Sequence, residues 1–119
     1  MTPDELKGRS KAFALRTIAS VAALPRLRAT RLIGDQLLRA GTAVGANYRS
    51  ACRARSRADF VAKMGIVEEE TDESLYWLEL LSESGLMKST EVDALHGGAQ
   101  ELLAIFSASR KTARNSGES

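Results

Sequence analysis

A chain of 119 residues with 44% hydrophobic and 27% charged side chains is long enough to close one core of its own without disulfides or metal. Its longest apolar runs, such as Val21–Leu24, are too short to cross a bilayer, and no basic segment followed by an apolar one opens the chain as a signal peptide does. A single cysteine, Cys52, cannot make an internal disulfide, which fits a reducing cytoplasm.

The net charge of +2 conceals two opposed blocks. Residues 26–57 carry eight arginines against Asp35, a balance of +7, and residues 58–93 carry ten acids against Lys63 and Lys88, a balance of −8. Such a pair of blocks has two readings: a nucleic-acid surface, or neighbouring antiparallel helices that neutralise each other.

Only two prolines interrupt a sequence rich in Ala, Leu, Arg and Glu, which predicts an all-α chain. A first helix is expected from Pro3 to about Leu24, capped by Thr2, with Asp4 and Glu5 at its positive end and Pro25 stopping it. Its stripe is Leu6, Phe13, Thr17, Val21 and Leu24, at about 100° per residue. A second helix is expected from Ala29 to about Arg55, with Ile33, Leu37, Ala40, Val44, Tyr48 and Ala51 inward. It keeps Gly41 and Gly45 in its middle although each costs roughly 1 kcal/mol against alanine, so another backbone should approach closely there.

The third helix is expected to start at Ser56, where Asp59 completes the spacing of a capping box, and to bury Phe60, Met64, Val67, Thr71, Ser74 and Leu78. Gly85 suits a left-handed stop, with Leu86 folding back onto the last turn. A fourth helix repeats the capping pattern at Thr90–Asp93 and runs through Leu95, Ala99, Leu102, Phe106 and Ala113, weakened at Gly97–Gly98. Residues 1–114 then form one domain, an up-down-up-down antiparallel four-helix bundle with short connections, and residues 115–119 a disordered tail.

Tyr76, Trp77, Leu80 and Leu81 lie off the third helix's core stripe, and Leu15 and Ile18 lie off the first helix's. A lone tryptophan beside a tyrosine and leucines has the composition of an interface centre, which predicts self-association. Gln36, Arg39 and Asn47 flank the second helix's stripe opposite Glu70 and Glu73, and a polar network of Gln36, Arg39, Asn47 and Glu70 is expected to fix register.

Catalytic chemistry finds little support. The run Glu68–Glu73 fans its acids around a helix, so they cannot converge on one ion or substrate, and one histidine with one cysteine does not make a metal site. Cys52 and His96 could act as nucleophile and base only if the fold brought them together. No catalytic residue, metal or cofactor is expected.

The run Gln36–Asn47, followed by Arg55–Lys63, Glu70–Leu81 and Glu101–Phe106, resembles the four helix bundle family first noticed as reading frames in intervening sequences of bacterial large-subunit ribosomal RNA genes. Members often carry Asn-x-x-Glu where this chain has Asn47-Tyr48-Arg49-Ser50, so a role for that acid does not transfer. The resemblance implies a ring-like homopentamer without enzymatic activity. A related branch, the accessory variability proteins of diversity-generating retroelements, forms basic pentamers that bind nucleic acid and a reverse transcriptase. For this chain it suggests RNA, DNA or a reverse-transcriptase-like protein as partner. The matching surface here is Arg49, Arg53, Arg55 and Arg57 at the junction of the second and third helices, with Arg49 and Arg53 on one helix face. An interaction scaffold with no nucleic-acid role is the alternative.

Overall fold

Helix boundaries are set by local hydrogen bonding at each end. The computed structural model describes residues 1–116, which form α1 (Pro3–Ala22), α2 (Arg28–Ala51), α3 (Arg57–Glu83) and α4 (Ser89–Ser116), with no strand among the described residues. Thr2 stands extended before α1 and its hydroxyl accepts the Glu5 N–H at 3.1 Å. Ser56 does the same for α3, accepting from Asp59 N–H at 3.0 Å. At the other end of α3, Gly85 has φ 74°, Leu86 N–H reaches Leu81 C=O at 3.1 Å and Gly85 N–H reaches Ser82 C=O at 3.0 Å. That pair of bonds satisfies carbonyls the helix would leave bare.

Several boundaries differ from those read in the sequence, α1 for instance ending at Ala22, two residues before Leu24. α2 ends at Ala51, so Arg53 and Arg55 lie in the connection to α3 and do not share a helix face with Arg49. The last turn tightens there, with Arg53 N–H turning to Ser50 C=O and Ala54 N–H to Ala51 C=O, both at 3.0 Å, while the Arg55 N–H goes to the Asp59 carboxylate at 3.1 Å. α4 starts at Ser89, placing Thr90 inside the helix. It passes unbroken through Gly97–Gly98 and reaches Ser116, two residues into the segment read as a tail; residues 117–119 lie outside the described residues.

Neighbours in sequence pack side by side, and α4 returns to α1, giving a bundle of 52 × 20 × 20 Å. Cross-helix partners run in opposite order along each of three pairs: Ser10 faces Gly45 while Thr17 faces Gly41, Arg9 meets Glu101 while Arg16 meets Glu91, and Arg110 meets Glu68 while His96 meets Glu79. The backbones of α1 and α3 do not approach closely, and these two helices stand diagonally. Met64, Leu78, Leu81, Leu95 and Phe106 are sealed in the centre, and Tyr48 packs on Phe106 with ring centroids 5.4 Å apart.

The small-residue segment of α2 meets α1. A Cβ on Gly41 would lie 2.9 Å from Thr17 Cγ2, and one on Gly45 would lie 3.3 Å from Ser10 Cβ. Ser10 and Thr17 are fully buried, and each hydroxyl donates to a carbonyl one turn back, Leu6 and Phe13, at 2.8 Å. Buried hydroxyls satisfied within their own helix need nothing from α2, so the two backbones can close. Gly41→Ala is expected to lower stability by about 1–2 kcal/mol, because overpacking outweighs the helix-propensity gain. In a Thr17→Ala background, which removes both nearest atoms, the same change should be neutral or stabilising. Urea unfolding of the four chains tests this; a Gly41→Ala protein more stable than wild type would remove the seam.

Candidate functional site

Of the eight arginines between residues 26 and 57, only Arg39 forms an ion pair among the described residues. Its guanidinium meets Glu70 at 3.1 Å and Glu73 more closely still, and its Nε donates to Gln36 Oε1 at 3.3 Å. Glu73 also accepts the Trp77 indole N–H at 3.2 Å. The hydrogen bond from Arg39, with that from Trp77 behind it, holds the Glu73 carboxyl below the usual glutamate range. Asn47 stands apart from this network, because its amide donates to Ala43 C=O at 2.8 Å on its own helix.

The other arginines are exposed. Arg49 sits in the last turn of α2, Arg53 and Arg55 in the connection, and Arg57 at the first position of α3. Asp59 is the acid nearest to them in sequence, and its carboxylate is occupied by the Arg55 N–H and by Lys63 Nζ at 3.3 Å, which lower its pKa. Several acids of α3 and α4 pair with cations elsewhere. Arg110 lies over Gly65, donates to Val61 C=O at 3.1 Å and pairs with Glu68 at 3.4 Å. His96 reaches Glu79 at 3.3 Å, Arg9 meets Glu101 at 2.6 Å, and Arg16 meets Glu91 at 3.1 Å. Mutual neutralisation of the two charge blocks is therefore confined to Arg39.

The apolar cluster divides. Leu81 is fully buried and belongs to the core, not to an exposed face: it follows Leu78 by three residues on the same stripe and its carbonyl closes the helix end. Trp77 and Leu80 are half-buried. Tyr76 is 53% exposed and stands edge-on to Trp77, centroids 5.1 Å apart. Ile66 on α3 and Leu32 on α2 are exposed too, and a second exposed pair, Leu15 and Ile18, lies on α1.

A feature the sequence reading missed is a cleft of about 700 Å3 where the end of α1 meets the α3–α4 connection. Leu24, Leu86 and Met87 line it, with Arg16, Ser20 and Glu91 at its edge. Ser20 donates to Glu91 at 2.5 Å. Arg9 and Arg16, seven residues apart on α1, meet Glu101 and Glu91, ten residues apart in the opposite order on α4.

The family model of the 23S rRNA-intervening sequence protein matches residues 5–108. The chain belongs to that family. Its structure resembles a solved protein of unknown function from the S23 ribosomal protein family of Bacteroides thetaiotaomicron, with a TM-score of 0.84 and 30% identity over 93% of this chain and 99% of the other. No curated protein matches the chain.

In this family member Cys52 and His96 are held apart. Cys52 closes α2 beside Tyr48, whose phenol is pushed up by burial and by the Cys52 thiol. Tyr48 stacks on Phe106, ten residues and about 15 Å along α4 from His96. Among the described residues no group of three His, Cys, Asp or Glu side chains comes together, and no helix is long and apolar enough to cross a membrane.

Glu91 is held below the usual glutamate range by the hydrogen bond from Arg16 first and Ser20 second. A carboxyl lowered in the folded state contributes stability above its unfolded pKa and loses it as pH falls through the folded value. Stability should therefore decline below about pH 4. Glu73→Gln with Glu91→Gln should flatten that decline relative to wild type in urea titrations between neutral and acid pH. An unchanged acid slope would mean these pairs, both partly solvated, contribute nothing measurable.

Proposed function

We propose that this protein is a non-enzymatic, self-assembling helical scaffold that binds a structured RNA or a nucleoprotein through exposed arginines around the α2–α3 junction. One observation carries the reading: among the described residues Arg49, Arg53, Arg55 and Arg57 are exposed and form no ion pair, while Asp59, Glu68 and Glu70 are held by other cations. Charge left unneutralised on a folded surface attracts phosphates and releases their counterions. Assembly multiplies it, since each added subunit presents the same cluster at high effective concentration.

Two exposed apolar patches support the assembly. One is Leu15 and Ile18 on α1; the other is Tyr76 on α3 with the half-buried Trp77 beside it. α1 and α3 stand diagonally, so a contact pairing one patch with the other is head-to-tail, the kind of contact that forms a ring when the rotation between subunits closes. Five subunits is the number the family resemblance implies.

Light scattering at micromolar concentration should give one discrete oligomer of about five chains. Tyr76→Glu and Leu15→Glu, each at an exposed position outside the core, should separately reduce it to smaller species while the far-ultraviolet helical signal stays unchanged. A wild-type chain that runs as a monomer at every concentration rules the assembly out.

Binding is expected to be micromolar or weaker, tolerant of sequence, and to weaken steeply with salt. Changing Arg53, Arg55 and Arg57 together to alanine should flatten the dependence of log affinity on log salt by about three, leaving oligomer size and helicity intact. Equal binding by the triple variant, or none by wild type at low salt, leaves a protein-interaction scaffold as the function.

A further inference from the structure

A second group of arginines lies at the opposite end of α2. Arg26 precedes the helix, Arg28 is its first residue and Arg31 falls in its first turn, and all three are exposed. None forms an ion pair among the described residues; Asp35, one turn beyond Arg31, is not within 4.0 Å of it. Helix stability does not explain them. They crowd the positive end of a helix that has no acid in its first turn, where the macrodipole disfavours cations.

Position along α2 gives the group its meaning. At about 100° per residue, Arg31 and Arg49 share one line down the helix and Arg28 lies about 60° from it. This is the arc away from Leu37 and Val44, which are fully buried. Arg39 stands at the edge of that arc but turns to Glu70 and Glu73. What remains between the two ends is Asp35, Leu38, Thr42 and Ala46, with no free cation. At 1.5 Å per residue, Arg31 and Arg49 are about 27 Å apart along the axis, and Arg28 and Arg49 about 32 Å.

We propose that this face of α2 lies along double-stranded RNA, its two arginine groups gripping phosphates about one helical turn apart. The inference rests on the nucleic-acid reading above and extends it from one cluster to a span. A rod beside a duplex meets a given strand once per turn, with a groove between, so two basic ends and a middle that offers no free cation match that periodicity. A single strand would need a continuous basic track, and Asp35 breaks it. The spacing falls short of the 34–36 Å turn of B-form DNA, and the A-form turn is shorter. The middle of the face offers Leu38, Thr42 and Ala46, with no long polar side chain to read base edges, which suits the shape-and-backbone recognition of RNA duplexes.

The test uses the whole protein in its native assembly and follows fluorescence anisotropy with RNA duplexes of 8 and 20 base pairs, a 20-base-pair DNA duplex and a 20-nucleotide single strand. The 20-base-pair RNA should bind at least tenfold tighter than the 8-base-pair one, after correction for the number of positions it offers. Its salt slope should approach about −6, against about −3 for a grip by one group. Arg28→Ala with Arg31→Ala should abolish the length effect, leave 8-base-pair binding within twofold, and leave thermal stability unchanged or slightly higher. Equal affinity for the two RNA lengths would overturn the span while leaving the α2–α3 cluster as a binding site. DNA duplex or single strand bound as tightly as RNA duplex would overturn the choice of ligand. No binding of any probe at low salt would remove both this inference and the reading beneath it.

Discussion

The close approach of α1 to α2 governs much of what the rest of the molecule can do. Gly41 and Gly45 bring the α2 backbone against Thr17 and Ser10, whose hydroxyls are already satisfied within α1. With one flank of α2 committed to that seam and the other packed on α3, the remaining arc of the helix must face solvent. That arc is where the unpaired arginines Arg28, Arg31 and Arg49 stand. A wider seam, with alanine or leucine in place of glycine, would push α1 outward and change which side chains α2 presents.

Electrostatics in this bundle is local. Arg39 is drawn across to Glu70 and Glu73, Arg110 across Gly65 to Glu68, and Arg16 to Glu91, each within one helix pair. These are partly solvated pairs, so they fix register more than they stabilise. Their consequence is an uneven surface: the acids of α3 are largely satisfied while the arginines at both ends of α2 are not. An unpaired cation at a helix N-terminus is mildly unfavourable.

The exposed apolar residues follow a similar logic. Trp77 keeps its indole N–H on Glu73, so its polar tip is tied to the Arg39 network while its ring lies beside Tyr76. A side chain fixed in this way presents apolar surface at low entropic cost, as hot-spot aromatics do. Leu15 and Ile18 offer a simpler aliphatic patch on the diagonal helix.

The sequence by itself determined four helices, their order, most of their inward stripes, the caps at Thr2 and Ser56, the turn at Gly85 and the glycine seam. Each is encoded by a few neighbouring residues or by a period along one helix. The family was legible for the same reason, through runs such as Gln36–Asn47. Tertiary structure alone decided that Leu81 is core, that Asn47 bonds within its own helix, and that α2 ends before Arg53 and Arg55, with the Arg55 N–H held by Asp59. It also decided which arginine of eight meets an acid, and that Arg28 and Arg31 stand free. Such outcomes depend on the rotation and axial offset of one helix against another, and a shift of a single residue turns a side chain by about 100°. A sequence fixes the stripe a helix buries far more tightly than it fixes the partners along the stripe's edges, where long charged side chains choose among several acids within reach.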